Sequence, residues 1–454
     1  MLKKTAFDGL LGAEILWDIE ALFGRQAIDA LDLEALESAV RRQVLSLAAR
    51  AVEQRLNGDH SDGAQTHQAC RCGQQARYIG RRAKLFHSIL GPLTLERAYY
   101  HCAACGQGFC PRDRQLHLQD SCHSPAVTRM IATVGALVSF QEGSQLLQEL
   151  AGLTIDAKQV ERAAEALGAA IAEDERHQVQ PLETAPLPPT LYLGVDGTGV
   201  PMRASELQGR TGKQPDGSAK TREVKLCTVW SAESRDAEDR PVRDEGSVSY
   251  TAAIESAATL DTDEVPAAFT QRVLREAMRR RFTQAERTVV LGDGATWIWK
   301  IAQELFPKAI QIVDRFHVKE HLSSLSKTIY GAETPQAKTW AKRRHEELDS
   351  GRLADLLRAL RRHADRCDEA RKCFQYIHRN RDRMRYDRFH TAGLCTSSGV
   401  IEAGCKLAVG TRLKRAGMHW TVRGSNAIIA LRCCKLSGRF QDFWERRTQT
   451  YQAA

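Results

Sequence analysis

Apolar and polar positions along the chain change period several times, and each change marks an element boundary. From Leu31 to Leu56 apolar residues recur at helical spacing (Leu31, Leu33, Leu36, Val40, Val44, Leu47, Ala51), so the first sixty residues read as helical. That helix packs on the rest of the chain or mediates self-association. Residues 84–98 alternate instead, as a hairpin does. Helical spacing returns over 124–177, broken by Gly152, Leu153 and Thr154. Helix, glycine-containing turn and a second helix capped by Thr154 or Asp156 is the outline of a helix-turn-helix, and equally of an ordinary packing hairpin. A proline-rich stretch, 177–189, then reads as an extended linker. Beyond it, short apolar runs predict strands at 191–196, 223–230, near 246–252, at 287–292 and at 309–314, with helices at 266–282 and 295–305. The polar stretch 209–221 reads as a hairpin loop. Residues 318–390 are long, charged and helical.

Composition narrows the class. A chain of 454 residues suggests two to four domains. Its 43% hydrophobic and 27% charged content is ordinary for a soluble globular protein. No apolar stretch approaches the roughly 18–20 residues needed to cross a membrane, so no membrane partner is expected. The N-terminal sequence carries acids within its apolar part and lacks a small-residue cleavage site, which predicts no signal peptide. Thirteen cysteines, an odd number, predict a reducing cytosol and metal-bound or free thiols. The net charge of +9 is unevenly spread: residues 341–450 hold 25 Lys and Arg against 12 Asp and Glu, while the remainder is slightly acidic. A basic third predicts a polyanionic partner, nucleic acid, over a merely solvated face.

Three acids carry the candidate chemistry. Asp196 ends the run Leu191–Val195 and precedes Gly-Thr-Gly. Asp293 ends the run Thr288–Gly292 and precedes Gly-Ala. A strand-end Asp before Gly is, taken alone, most often a turn residue. Two of them at the rim of a sheet, where open α/β sheets bind ligands, together with Glu402 at a later helix start, are what a two-metal phosphoryl-transfer site needs. Such a site holds two cations, Mg²⁺ or Mn²⁺, roughly 4 Å apart. Around them, Arg222, Lys225, Lys406, Arg412, Lys414, Arg415, His419, Trp420 and Arg423 are candidates for phosphate contact and base stacking. Asp314 and His317 are expected to position DNA or water, or to make a structural hydrogen bond. His321 lies one turn beyond His317.

A second constellation precedes the acids. Cys70-Arg-Cys72-Gly and Cys102-Ala-Ala-Cys105-Gly flank the hairpin. Paired thiolates on two glycine-ended knuckles can close a tetrahedral structural zinc site, which would stabilise a segment poor in apolar residues. The first knuckle is shorter than the usual C-x2-C, so His67 is a possible substitute ligand and Cys110 a spare thiol.

The strings LYLGVDGTGVPMR, GSAKTREVKL, VVLGDGATWIWK, IQIVDRFHVKEHL, SSGVIEAGCK and RLKRAGMHWTVRGSNAIIALRC resemble transposases of the ISKra insertion-sequence family, in the Mutator-like branch of DDE enzymes. The resemblance spans residues 65–445. It implies an RNase H-like catalytic core whose triad is Asp196, Asp293 and Glu402, with Asp314 and His317 matching the branch's D-x-x-H element. Three strands followed by strand–helix–strand, with acids on the first and fourth, fits that core. The expected fold is multidomain α+β: a helical N-terminal region (1–62), a zinc-ribbon-like domain (63–123), a helical, candidate DNA-binding domain (124–180), a linker (181–190), the first part of the core (191–317), an all-helical insertion (318–392), and the rest of the core with a basic tail (393–454). The expected partners are transposon terminal inverted repeats and target DNA, bound by a homo-oligomer of at least two chains in a bacterial, nucleoid-associated cytoplasm. An RNase H-like nuclease without strand transfer and a catalytically silent DNA-binding protein are the alternatives.

Overall fold

A computed structural model describes residues 32–119, 121–179, 186–212, 214–257 and 266–453. The expectations for residues 1–31 and for the linker at 180–185 lie outside the described residues. The chain divides into two compact units, Met1–Ala163 with Trp444–Ala454, and Ala164–Phe443. The division falls inside a helix, upstream of the proline-rich stretch.

The first unit opens with α1 (Leu33–Asn57), whose Asp32 cap accepts the Glu34 N–H and satisfies one of the free donors at a helix start. A four-stranded antiparallel sheet follows: β1 (His67–Ala69), β2 (Gln75–Ser88), β3 (Gly91–His101) and β4 (Gly108–Phe109), in that order. The β2–β3 hairpin packs one face on α1, where Phe86, Leu93, Leu95, Ala49 and Leu118 form one cluster. After the short α2 (Pro111–Gln115) come α3 (Pro125–Leu137), α4 (Phe140–Ala151) and α5 (Ala157–His177). Ser139 and Glu142 form a reciprocal capping box at the start of α4, and Gly152 ends it in the left-handed conformation. The turn after Gly152 is apolar inside: Leu153 and Ile155 join Val127, Ile131, Leu147 and Val160 in a core. Each such side chain contributes about 1.5–3 kcal/mol by leaving water.

The second unit is built on a mixed five-stranded sheet of β5 (Thr190–Pro201), β6 (Thr221–Ser231), β9 (Ser249–Ala253), β10 (Arg287–Gly292) and β11 (Ile310–Val313). A small ribbon, β7 (Ser234–Arg235) with β8 (Pro241–Val242), leaves the end of β6. In space the order is β11-β10-β5-β6-β9. β5 pairs antiparallel with β6, and β6 with β9, whereas β5–β10 and β10–β11 are parallel. Residues 190–195 are buried on both faces, so the run is continuously apolar, as central strands with covered faces require. The crossovers are α6 (Ala268–Arg279) before β10 and α7 (Thr296–Leu305) before β11. At one corner of the unit the buried Glu276 on α6 accepts from both Arg279 and Arg439, and Arg439 reaches on to Glu175.

After β11 the chain is helical: α8 (Arg315–Tyr330), α9 (Pro335–Asp349), α10 (Leu353–Ala364), α11 (Asp368–Asn380) and α12 (Tyr386–Thr391). It then returns to the sheet through α13 (Gly399–Gly404), a π-helical turn (Cys405–Gly410), α14 (Thr411–Leu413), α15 (Val422–Leu436) and α16 (Phe440–Ala453). Among the described residues no helix is long and apolar enough to cross a membrane.

Two DNA-contact expectations are corrected by this packing. Arg412 is fully buried, its guanidinium 5.1 Å from the centre of the Trp420 ring. Trp420 is itself buried and donates its indole N–H to the Leu413 carbonyl at 3.0 Å. The two pack together inside the fold, a cation over an aromatic face, so both side chains are buried rather than exposed to a nucleic acid.

Candidate functional site

Register aligns the candidate acids. In the parallel pairing of β10 with β5, Leu291 lies opposite Gly194; in that of β10 with β11, Gly292 lies opposite Val313. Two residues along β5 is Asp196. The residues that directly follow β10 and β11 are Asp293 and Asp314. Parallel strands share a carboxyl edge, so three adjacent strands present three aspartates at one rim of the sheet. The Asp314 N–H donates to the Gly292 carbonyl at 2.8 Å, which ties two of these ends together.

Glu402 comes to the same rim on α13. A Cβ on Gly194 would stand 2.4 Å from Ile401 Cγ1, so the missing side chain is what lets α13 lie down on β5. A Cβ on Gly404 would stand 2.9 Å from both Leu226 and Tyr250. One turn beyond Glu402, the Cys405 thiol donates to Asp196 Oδ2 at 3.5 Å. At the other end of α13, the Ser398 hydroxyl donates to Asp314 Oδ2. The Glu402 side chain is exposed, and among the described residues no Lys or Arg pairs with Asp196, Asp293 or Glu402.

The electrostatics at this rim are those of crowded anions. Burial raises the Asp196 pKa and the charge of Asp293 raises it further, against the pull of the Gly197 N–H and of His317. Asp293 accepts the Ala295 N–H at 2.9 Å through its side chain, and its carbonyl accepts the Tyr376 hydroxyl at 2.6 Å. Burial, then the charge of Asp293, pushes Tyr376 upward, so it stays a neutral donor. His317 and His321 approach to 3.0 Å between their Nε2 atoms, so one ring must donate and the other accept. Burial and the neighbouring His317 lower the pKa of His321.

The expected cations are unevenly placed. Lys406, Lys414, His419 and Arg423 are exposed and Arg415 is half-buried. Lys414 donates to the Thr198 hydroxyl near the end of β5. The Arg203 N–H donates to the Trp420 carbonyl and the Trp420 N–H to the Pro201 carbonyl at that strand end, which anchors the basic segment to the sheet. Lys225 is committed within the protein, to the Glu255 carbonyl at 2.9 Å and to Glu223. Arg222 is half-buried on β6, and desolvation followed by Arg210 lowers its pKa. Ser398, Cys405, Tyr376 and the π-helical turn were not anticipated from sequence. The spacing of Cys405 from Glu402, one helical turn, was the available signal for the cysteine.

In the first unit, Cys70, Cys72, Cys102 and Cys105 place their sulfurs within 4.8 Å of one another. Cys70–Cys105 and Cys72–Cys102 are 3.6 and 3.7 Å apart. Zn–S bonds of ~2.3 Å give a tetrahedron with edges of ~3.8 Å, so these spacings fit zinc. The two knuckles are matched turns: Gly73 N–H closes onto the Cys70 carbonyl and Gly106 N–H onto the Cys102 carbonyl, both at 2.9 Å. Each glycine has a positive φ, +83° and +70°, which explains why glycine follows both knuckles. Backbone N–H groups near its sulfur, outweighing burial, lower Cys102 to about 7, while at Cys105 the Gln107 N–H is outweighed by burial and the neighbouring thiols, which raise it to about 12. The expectation of His67 as a substitute ligand is corrected: it is exposed, with its ring on the Thr66 hydroxyl, and is not in the cluster.

Residues 273–448 match the model of an uncharacterised protein family, UPF0236. No curated protein matches the chain. Among solved structures it is similar to one described as the "Drosophila P element transposase strand transfer complex". That match has 10% identity and a TM-score of 0.25, over 74% of this chain and 84% of that one. At that score the likeness supports no inference.

Proposed function

We propose that this chain is a DDE transposase, which cuts DNA at the ends of a mobile element and joins the released ends to target DNA. The observation that carries the reading is the rim itself. Asp293 directly follows β10, Asp196 lies within the adjacent β5 two residues past the end of their parallel pairing, and the helix bearing a glutamate lies across β5. The strand order supports an RNase H-like core: in order of appearance the strands lie third, second, first, fourth, fifth, with the first, fourth and fifth parallel.

Asp196, Asp293 and Glu402 suit divalent cations. They are hard oxygen donors, none is neutralised by a described Lys or Arg, and burial followed by the charge of Asp293 raises the pKa of Asp196. Mg²⁺ or Mn²⁺ bound there would supply activation of an attacking oxygen and stabilisation of the leaving one. The chain's own part is to orient. His317, beside Asp196, is placed to position water or the scissile phosphate. Lys406, Lys414, Arg415, His419 and Arg423 are placed to hold the backbone of the substrate, because phosphate contacts fix register without reading sequence. Water attacks a phosphodiester at the element's end and releases a 3′-OH. That hydroxyl then attacks the target phosphodiester, displacing a second 3′-OH, so each step exchanges one P–O bond for another. The zinc-ribbon-like knuckles and the helices α3–α5 belong to the part of the chain we assign to end recognition, in a synaptic assembly of at least two chains.

The test supplies labelled duplexes from the DNA flanking the coding sequence, a target plasmid and Mg²⁺. Joined product is expected. Cutting without joining would make the protein a nuclease, and binding without either would make it a DNA-binding protein. Asp293→Asn is expected to lower cleavage by at least about 10²–10³-fold, the usual cost of one preorganised electrostatic group, while DNA binding persists. Parental activity in that variant would overturn the assignment.

A further inference from the structure

We infer that Ser398 and Cys405 are positioning residues that set where the Glu402 carboxylate stands against Asp196 and Asp293. The inference rests on the reading of Asp196, Asp293 and Glu402 given above. Helix α13 continues without a break through the π-helical turn into α14, over Gly399–Leu413, and an isolated helix of about that length is marginal in water. Its place must come from contacts at its ends and beneath it. Glu402 has no described side-chain partner of its own, so its carboxylate goes where α13 goes.

Both ends of α13 are tied to aspartates of the rim. At the start, Ser398 Oγ donates to Asp314 Oδ2, and the Ser398 carbonyl accepts the Glu402 N–H at 2.9 Å. Asp314 is a firm anchor. It is buried, its Oδ1 accepts the Phe316 N–H at 2.9 Å, and its own N–H is bound to Gly292. At the end, Cys405 Sγ donates to Asp196 Oδ2 at 3.5 Å. Between the two ties, Ile401 covers Gly194. Sliding α13 by one residue would break both hydrogen bonds and drive Ile401 off the glycine.

The π-helical turn that begins at Cys405 completes the device. A π turn carries one more residue than an α turn, and such turns often occur at functional sites. Here its displaced carbonyls are not left open: the buried Arg432 donates to the Leu407 and Ala408 carbonyls and to the Thr411 hydroxyl at 2.8 Å. The chain therefore holds the widened turn firmly in place while Cys405 reaches Asp196. Outer partners of this kind commonly change ligand affinity or rate by about 10–100-fold when removed.

The experiment uses the zinc-loaded chain of residues 1–454 and two readouts. One is Mn²⁺ binding, followed by loss of the free-ion electron paramagnetic resonance signal without DNA. The other is Mg²⁺-dependent cleavage of the labelled duplexes. Ser398→Ala and Cys405→Ala are each expected to weaken Mn²⁺ binding and lower kcat by about 10–100-fold, with KM for DNA and Tm close to the parent. Ser398→Thr and Cys405→Ser, which keep a hydroxyl donor, should recover most of both. Should an alanine variant fail to fold, Asp314→Asn tests the first tie, because it keeps the size and loses the anionic acceptor. Cys405→Ser against Cys405→Val tests the second. Alanine variants equal to the parent in both readouts would overturn the inference, as would hydroxyl variants as impaired as alanine. A parent that neither cleaves nor loses Mn²⁺ binding on Asp293→Asn would instead overturn the functional reading beneath it.

Discussion

Asp244 shows how far a single carboxylate depends on the donors around it. Partial burial alone would raise its pKa, but the hydroxyls of Ser231 and Ser234 and the backbone N–H groups of Glu233 and Ser234 outweigh that and lower it to about 2. A carboxyl held below its unfolded value of 3.8 stabilises the fold fully above that value and loses the contribution as pH falls through about 2. Its worth is about 1 kcal/mol once solvent screening is allowed for. Thermal melts between pH 5 and 2 should therefore show the Asp244→Asn variant less stable than the parent at the upper end, with the two curves converging at the lower end. A constant gap across that range would mean the acid is not the source. The buried thiols near the rim behave oppositely: burial, then the charge of Asp196, raises the pKa of Cys405. It stays protonated and able to donate.

At the scale of elements, one atom decides whether α13 can meet the sheet. Gly194→Ala puts a methyl 2.4 Å from Ile401, and overpacking of this kind costs about 1–3 kcal/mol. Lower Tm and slower cleavage are expected together, and Ile401→Ala in the same chain should relieve part of both, the methyl still meeting Trp230 at 2.9 Å. A Gly194→Ala chain with parental rate would show that α13 need not lie where it does. The zinc knuckles predict a separable loss. Metal analysis should find about one zinc per chain, the number one tetrahedral four-thiolate site holds. Removal by chelator or by Cys102→Ser should expose the amides of β1–β4 to hydrogen exchange, since such segments fold around their metal. The amides of β5, β6 and β10 should keep their protection, because they lie in a compact unit with its own sheet. Uniform loss of protection across both units would contradict this division.

For the whole molecule, the excess of cations in residues 341–450 should appear as salt dependence. Each neutralised phosphate contributes about 0.9 to the slope of log affinity against log salt. Lys406→Ala, Lys414→Ala and Arg423→Ala combined should flatten that slope for specific and random duplexes alike, and an unchanged slope would make these residues a solvated face. Arg412→Ala is a different experiment, expected to lower Tm, because its guanidinium is packed on Trp420. That contrast marks what sequence could and could not say. The apolar runs before Asp196 and Asp293, the alternating hairpin and the glycine-ended cysteine knuckles were legible because each is written in neighbouring residues, although β5 continues past the expected end at Asp196 to Pro201, held there by β6 alone. Periodicity reports which faces an element buries, and a positive φ asks for glycine on the spot. The placement of Arg412 and Trp420 was not legible. A cation beside an aromatic ring reads as a binding surface or as a self-satisfied interior pair, and only the elements packed around it choose. The ties of Cys405 to Asp196 and of Ser398 to Asp314 cross 209 and 84 residues. No local pattern encodes such a meeting, because it depends on which helix finally covers the glycine at position 194. The sequence by itself determined the acids, the strands that carry them and the thiolate knuckles. The tertiary structure decided how Glu402 is held, since short helices take their place from what they touch rather than from what they are.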